Sequence, residues 1–145
     1  MDKKHVRPVA VCLLRNGKRM LVSEGYDPSS RYHFCRPLGG EIEFGERSRD
    51  AVAREIREEI GAEVENLKLV GVLENVFTYA GRRAHEVVFV YDADLADRSL
   101  YGREEIRGDR KETGESFVAS WRSAEELEER NIRLVPEGLT ELLAE

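Results

Sequence analysis

Glu55, Glu58 and Glu59 stand three and four residues apart in the run Arg54-Glu55-Ile56-Arg57-Glu58-Glu59. On a helix that spacing gathers their carboxylates into a stripe about 100° wide. Like charges at such spacing cost a helix roughly 0.2–0.5 kcal/mol per pair, so something must offset the repulsion. Arg54 and Arg57 supply part of the counter-charge. A hard divalent cation, Mg²⁺ or Mn²⁺, would supply more, because it prefers carboxylate and water oxygens and holds phosphate oxygens at the same time. The residue types therefore point to metal-assisted chemistry on a phosphorylated compound. Taken alone, the same hexapeptide also reads as a solvated, charged helix face.

The glutamates can act together only if a helix carries them and a sheet fixes that helix. Val52, Ile56 and Ile60 form an apolar stripe roughly 120° from the acidic one, suited to packing on a sheet. A helix is predicted over Arg49 to Ile60, with Ser48 as a side-chain acceptor for a first-turn amide, Asp50 complementing the dipole and Gly61 closing the helix in the left-handed conformation. Upstream, His5 to Leu14 and Arg19 to Ser23 flank Asn16-Gly17, a hairpin signal. A loop over Glu24 to Arg31 leads to an aromatic strand from Tyr32 to Arg36, ended by Pro37, Gly39 and Gly40. Downstream, Val64 to Thr78 and Ala84 to Asp92 are expected to pair antiparallel about Ala80-Gly81. The charged span from Ala93 to Glu115 reads as a functional loop or lid. A strand from Ser116 to Arg122 follows, then a capping box of Ser123 with Glu126, and Pro136 is placed in the first turn of a terminal helix.

At 145 residues, with 41% hydrophobic and 36% charged residues, residues 1–145 are expected to form one soluble domain. No apolar run approaches the roughly 20 residues needed to span a bilayer, and no export signal is evident. Cys12 and Cys35 lie in apolar stretches and read as buried, reduced thiols, which fits the cytoplasm. The net charge of -6 disfavours extended nucleic acid as a partner. Small phosphorylated ligands remain open to the chain if a cation bridges them to its carboxylates.

The residues around the stripe supply a more specific pattern. Gly40, five residues, Glu46, seven residues, Arg54-Glu55-Ile56, one residue, Glu58-Glu59, one residue and Gly61-Ala62 together resemble the Nudix box, the motif of the Nudix hydrolase family. Ala62 stands where a larger aliphatic residue is usual, and Pro37-Leu38-Gly39-Gly40 replaces the commoner order in which proline directly precedes the glycines. The resemblance implies an α/β fold, an α/β/α sandwich with a mixed sheet. It implies that Glu55, Glu58 and Glu59 bind metal together with a backbone carbonyl of the glycine pair, Gly40 or Gly39. It also implies that Glu46 and Arg54 form an ion pair bracing the loop against the helix. The implied activity is metal-dependent hydrolysis of a diphosphate linkage in a small nucleoside-diphosphate-linked substrate, by a metal-activated water attacking phosphorus. A homodimer is compatible with the family.

The general base is open: Glu58 and Glu59 are candidates within the motif, and Glu104, Glu105, Glu112 and Glu115 are later ones that also read as surface charges. Arg36 reads either as a forked donor to a substrate phosphate or as a surface salt-bridge partner. Phe34, Phe77 and Tyr79 suit base stacking or the core. His85 beside Glu86 suits a substrate contact or a structural role. From a different class, a catalytically silent nucleotide-sensing or interaction module is the alternative function.

Overall fold

The computed structural model describes residues 4–111 and 113–143. The chain begins with β1 (Val6–Asn16), β2 (Arg19–Asp27), β3 (Tyr32–Glu41) and helix α1 (Ser48–Ile60). There follow β4 (Val64–Tyr79), β5 (Arg82–Leu95), a 3-10 helix (Arg98–Gly102), β6 (Glu105–Asp109) and β7 (Ser116–Ser123). Helix α2 (Ala124–Glu129), β8 (Arg133–Leu134) and helix α3 (Leu139–Leu143) complete it.

The strands form one eight-stranded sheet in the order β4-β5-β1-β3-β2-β7-β6, with β8 added beside β3. Pairing is antiparallel except for β1 with β5 and β3 with β8, so the sheet is mixed. Buried β1 sits in its middle. Period-two alternation sends Ala10, Cys12 and Leu14 to one face, where they meet Ala51, Val52 and Ile56 of α1. Val9, Val11 and Leu13 go to the other, where they meet Leu127, Ile132 and Leu139. Two apolar layers on one sheet give the expected α/β/α sandwich. Cys12 and Cys35 fall in opposite layers and are both buried free thiols. Burial pushes the first up to about 12 and the second to about 11, which keeps them protonated and inert. Among the described residues no helix is long and apolar enough to cross a membrane.

The predicted α1 forms and closes at Gly61, whose φ of 66° is left-handed. Its start differs from expectation. Arg47, not Ser48, is the cap residue and offers no side-chain acceptor. Ser48 lies inside the first turn, and its hydroxyl shares a 2.6 Å hydrogen bond with that of buried Tyr91, which ties the helix to β5. The long β4–β5 hairpin pairs antiparallel as predicted. Residues 93–115 are not an open loop or lid: β5 runs on to Leu95, a 3-10 turn follows, and β6 pairs with β7 as an edge strand. Only Ile106 and Gly108 of β6 are buried, so its alternation carries too little apolar content to register in sequence. Ser123 caps α2 by accepting from the Glu126 amide. Pro136 precedes α3 without joining it, its carbonyl accepting from the Leu139 amide.

Because α1 is anchored through fully buried Ile56, Ile56→Ala is expected to lower the unfolding free energy by about 2–4 kcal/mol in urea titrations. Arg49→Ala, on the exposed side of the same helix, is expected to change it by less than about 0.5 kcal/mol.

Candidate metal and phosphate site

The C-terminal end of β3 is the floor of the site. Leu38 to Glu41 pair with β1, while Tyr32 to Pro37 pair with β2, so the strand passes from one half of the sheet to the other just where α1 crosses it. Two glycines make that crossing close. A Cβ on Gly39 would lie 2.1 Å from the Ala10 carbonyl oxygen, and one on Gly40 would lie 2.5 Å from the Glu55 carboxyl carbon. The Gly39 amide donates to Glu59 Oε1 at 3.2 Å. Pro37 and Leu38 are buried, so the unusual order before the glycines is absorbed by the sheet.

The helix presents its glutamates in two environments. Glu55 and Glu59 are only 2% and 5% exposed, whereas the Glu58 side chain is 34% exposed. Arg54 joins most of the acidic groups. Its Nε and Nη2 donate to the two carboxylate oxygens of Glu46 at 2.7 and 3.0 Å, a forked pair. Its Nη1 bridges Glu55 Oε1 at 2.9 Å and Glu58 Oε2 at 3.2 Å. Nη2 also reaches the Glu41 carbonyl at 3.1 Å. Glu46 accepts the Glu43 amide, so the loop between β3 and α1 is closed onto the guanidinium. These contacts hold the Glu46 carboxyl below its usual pKa and raise that of Arg54, with the Arg54–Glu46 hydrogen bonds foremost in both.

Glu59 lies outside Arg54's reach. Its ion pair is with Arg110, at 3.6 Å. Burial, followed by the nearby Glu55 charge, pushes its carboxyl up to about 7 against the opposing pull of Arg110, the Gly39 amide and Arg36. Two buried carboxylates beside one another, with limited counter-charge on one of them, are a donor set suited to a hard divalent cation. Among the described residues no group of acidic, histidine and cysteine side chains is ready-made to hold a metal ion. The Arg54 bridge between Glu55 and Glu58 accounts for part of that, since cation binding there requires the guanidinium to yield.

Arg36 is exposed on β3, on the α1 face with Leu38 and Gly40, and its side chain makes no hydrogen bond or ion pair among the described residues. The salt-bridge reading of that residue is therefore not realised. Glu104, Glu105 and Glu115 are exposed, and Glu105 alternates with buried Ile106 toward the face away from α1. Glu112 lies outside the described residues. Phe34 packs edge-on against Tyr79, their ring centres 5.9 Å apart, while Phe77 is exposed at the outer strand. His85 pairs with Glu74 across the hairpin at 3.0 Å, and Glu86 pairs with Arg7 instead. Two shallow concavities border Arg15, and neither is lined by Glu55, Glu58 or Glu59. The residue that sequence reading missed is Arg110. Its signal was the alternation of Ile106, Gly108 and Arg110 within a stretch read as a loop.

Glu59 also makes stability depend on pH. In the metal-free protein its folded pKa of about 7 exceeds the ordinary 4.5. Its stabilising contribution is therefore full below the lower value and is lost as pH rises through the upper one. Glu59→Gln is expected to raise the stability of the metal-free protein by about 3 kcal/mol at pH 8 and by less than about 0.5 kcal/mol at pH 4. Urea unfolding at the two pH values checks this.

The NUDIX domain family model matches residues 4–143. The fold is similar to that of a MutT NUDIX hydrolase from Burkholderia pseudomallei, with a TM-score of 0.62 and 21% identity over 86% of this chain and 88% of that one. It is also similar to a NUDIX hydrolase from Nitrosomonas europaea, with a TM-score of 0.66 and 16% identity over 97% and 87% of the two chains. A mutator MutT protein from Bacillus halodurans gives 0.54 and 19% over 95% and 78%. At such identities the solved structures speak to the fold, and the match along nearly the whole sequence speaks to the family. The chain belongs to the Nudix family, hydrolases of nucleoside diphosphate-linked substrates.

Proposed function

We propose that this protein hydrolyses the diphosphate linkage of a small nucleoside-diphosphate-linked substrate with Mg²⁺ or Mn²⁺ held by Glu55, Glu58, Glu59 and the Gly40 backbone carbonyl. The observation that carries the reading is the pairing of two buried carboxylates, Glu55 and Glu59, against the side-chain-free pair Gly39 and Gly40 near the end of β3. Burying charge in this way is costly without a cation to receive it. When bound, the cation supplies Lewis-acid stabilisation of the phosphoryl oxygens and lowers the pKa of water.

The protein's own groups divide the remaining work. Glu46 and Arg54 brace the loop that leads into α1, and Arg54 holds the carboxylates of Glu55 and Glu58 together until a cation takes its place between them. Glu58 and Glu59 are the candidates to take the proton of the attacking water. Glu58 is the more accessible of the two, and its Oε1 receives no hydrogen bond from Arg54. Arg36 stands ready as a donor to phosphate. The acidic surface favours a small substrate over a nucleic-acid chain. The unpaired buried thiols suit a cytoplasmic setting.

A panel of nucleotides, nucleotide sugars and dinucleotides, assayed for phosphate-containing products with Mg²⁺ and with Mn²⁺, tests the reading. Hydrolysis of at least one compound, abolished by a chelator, is expected. No turnover of any compound with either metal would overturn the reading, and tight nucleotide binding in that case would indicate a sensing module. Glu58→Gln is expected to lower kcat by about a hundredfold or more while leaving the unfolding transition in place. Near-normal turnover would refute the role of Glu58.

A further inference from the structure

Arg110 is held by weak contacts at a well-defined place. Its guanidinium lies over the Phe117 ring, 4.6 Å from the centroid. It donates to Ser23 Oγ at 3.3 Å and meets Glu59 Oε2 at 3.6 Å, and among the described residues its other N–H groups have no hydrogen-bond partner. Edge strand β6 can lie this close to α1 because Gly108 has no side chain: a Cβ there would stand 2.6 Å from the Glu59 carbonyl oxygen.

Ser23 is also the direct cross-strand partner of Arg36. Side chains so paired rise about 5 Å apart. The Arg110 guanidinium, at Ser23 Oγ, is therefore a neighbour of the Arg36 stem. The next partner of Ser23 is Ala119, buried and small, so the floor between the two arginines is low. Arg36 is open to solvent, yet surrounded by enough protein that desolvation, and then the like charge of Arg110, lower its pKa. Arg36 and Arg110 are thus neighbours across Ser23, with Glu59 acting on both and Glu86 and Arg7 also acting on Arg36, and two neighbouring guanidinium groups favour an anion between them.

We propose that Arg110 and Arg36 form a two-guanidinium clamp for the substrate's diphosphate, with Arg110 exchanging its long contact to Glu59 for a phosphate oxygen. The inference rests on the function proposed above. It adds Arg110, just beyond the end of β6, as a binding residue for the diphosphate. A monophosphate spans only one of the two donors.

Inorganic pyrophosphate and inorganic phosphate are the probes, titrated calorimetrically into the metal-free protein. Wild type is expected to bind pyrophosphate more tightly than phosphate. Arg110→Ala and Arg36→Ala should each weaken pyrophosphate binding about tenfold, and Arg110→Lys, which keeps the charge without the fork, by less. Arg98→Ala, which removes an exposed pair with Glu65, should leave it unchanged. For the metal-loaded enzyme, KM should rise about tenfold in Arg110→Ala with kcat within about threefold. The clamp is overturned if wild type shows no preference for pyrophosphate, or if both Arg110 variants bind it normally. A fall in kcat alone would make Arg110 a positioning residue for Glu59. Failure of the hydrolysis panel would sink the proposed reaction while leaving the calorimetric result to decide the clamp.

Discussion

Arg54 places one guanidinium among Glu46, Glu55 and Glu58 and on the Glu41 carbonyl, and the geometry of the site depends on that convergence. Glutamates at helical spacing repel one another, and buried ones lose the water that would screen them. A single planar cation with five donors can satisfy several carboxylates at once, which a lysine cannot do with comparable geometry. The forked bond to Glu46 fixes the plane, and the bridging Nη1 then sets where Glu55 and Glu58 stand. Glu59, one turn beyond Glu55, is left to the Gly39 amide and to Arg110, and burial pushes its carboxyl up to about 7.

Close packing between α1 and β3 makes this arrangement rigid. Gly40 lets the Glu55 carboxylate rest on the strand, Gly39 turns an amide toward Glu59, and Gly108 lets the far edge of the sheet reach the end of the helix. The apolar stripe Val52 and Ile56 locks the helix against Ala10, Cys12 and Leu38 from the same side. Charge and packing therefore constrain the same few residues: a helix shift large enough to relax the repulsion would break the core, and a repacked core would misplace the acids.

The parts legible in the sequence were those with a local cause. The helix over α1 followed from its two stripes and Gly61, and the β4–β5 hairpin from its β-rich runs and Ala80-Gly81. The sandwich and its mixed sheet followed from the motif's resemblance. The parts that were not legible depend on tertiary partners. Ser48 was expected to cap a helix by its neighbours' logic, but the hydroxyl of Tyr91, far along the chain, claims it. Edge strand β6 has one face against α1 and little apolar content, so composition made it look like a loop. Arg110 acquires its place only from the contact of that edge with Glu59 and Ser23. His85 chose Glu74 across the hairpin over its sequence neighbour.

The central claim is that the carboxylates of α1 form a cation site whose ligands must first lose a proton. Titration of Mn²⁺ into the purified protein, followed by the loss of the free-ion paramagnetic resonance signal, tests it directly. The account predicts saturable binding that tightens as pH rises from 6 to 8, through the Glu59 pKa of about 7, and that is lost in Glu55→Gln. Binding indifferent both to pH over that range and to Glu55→Gln would contradict it.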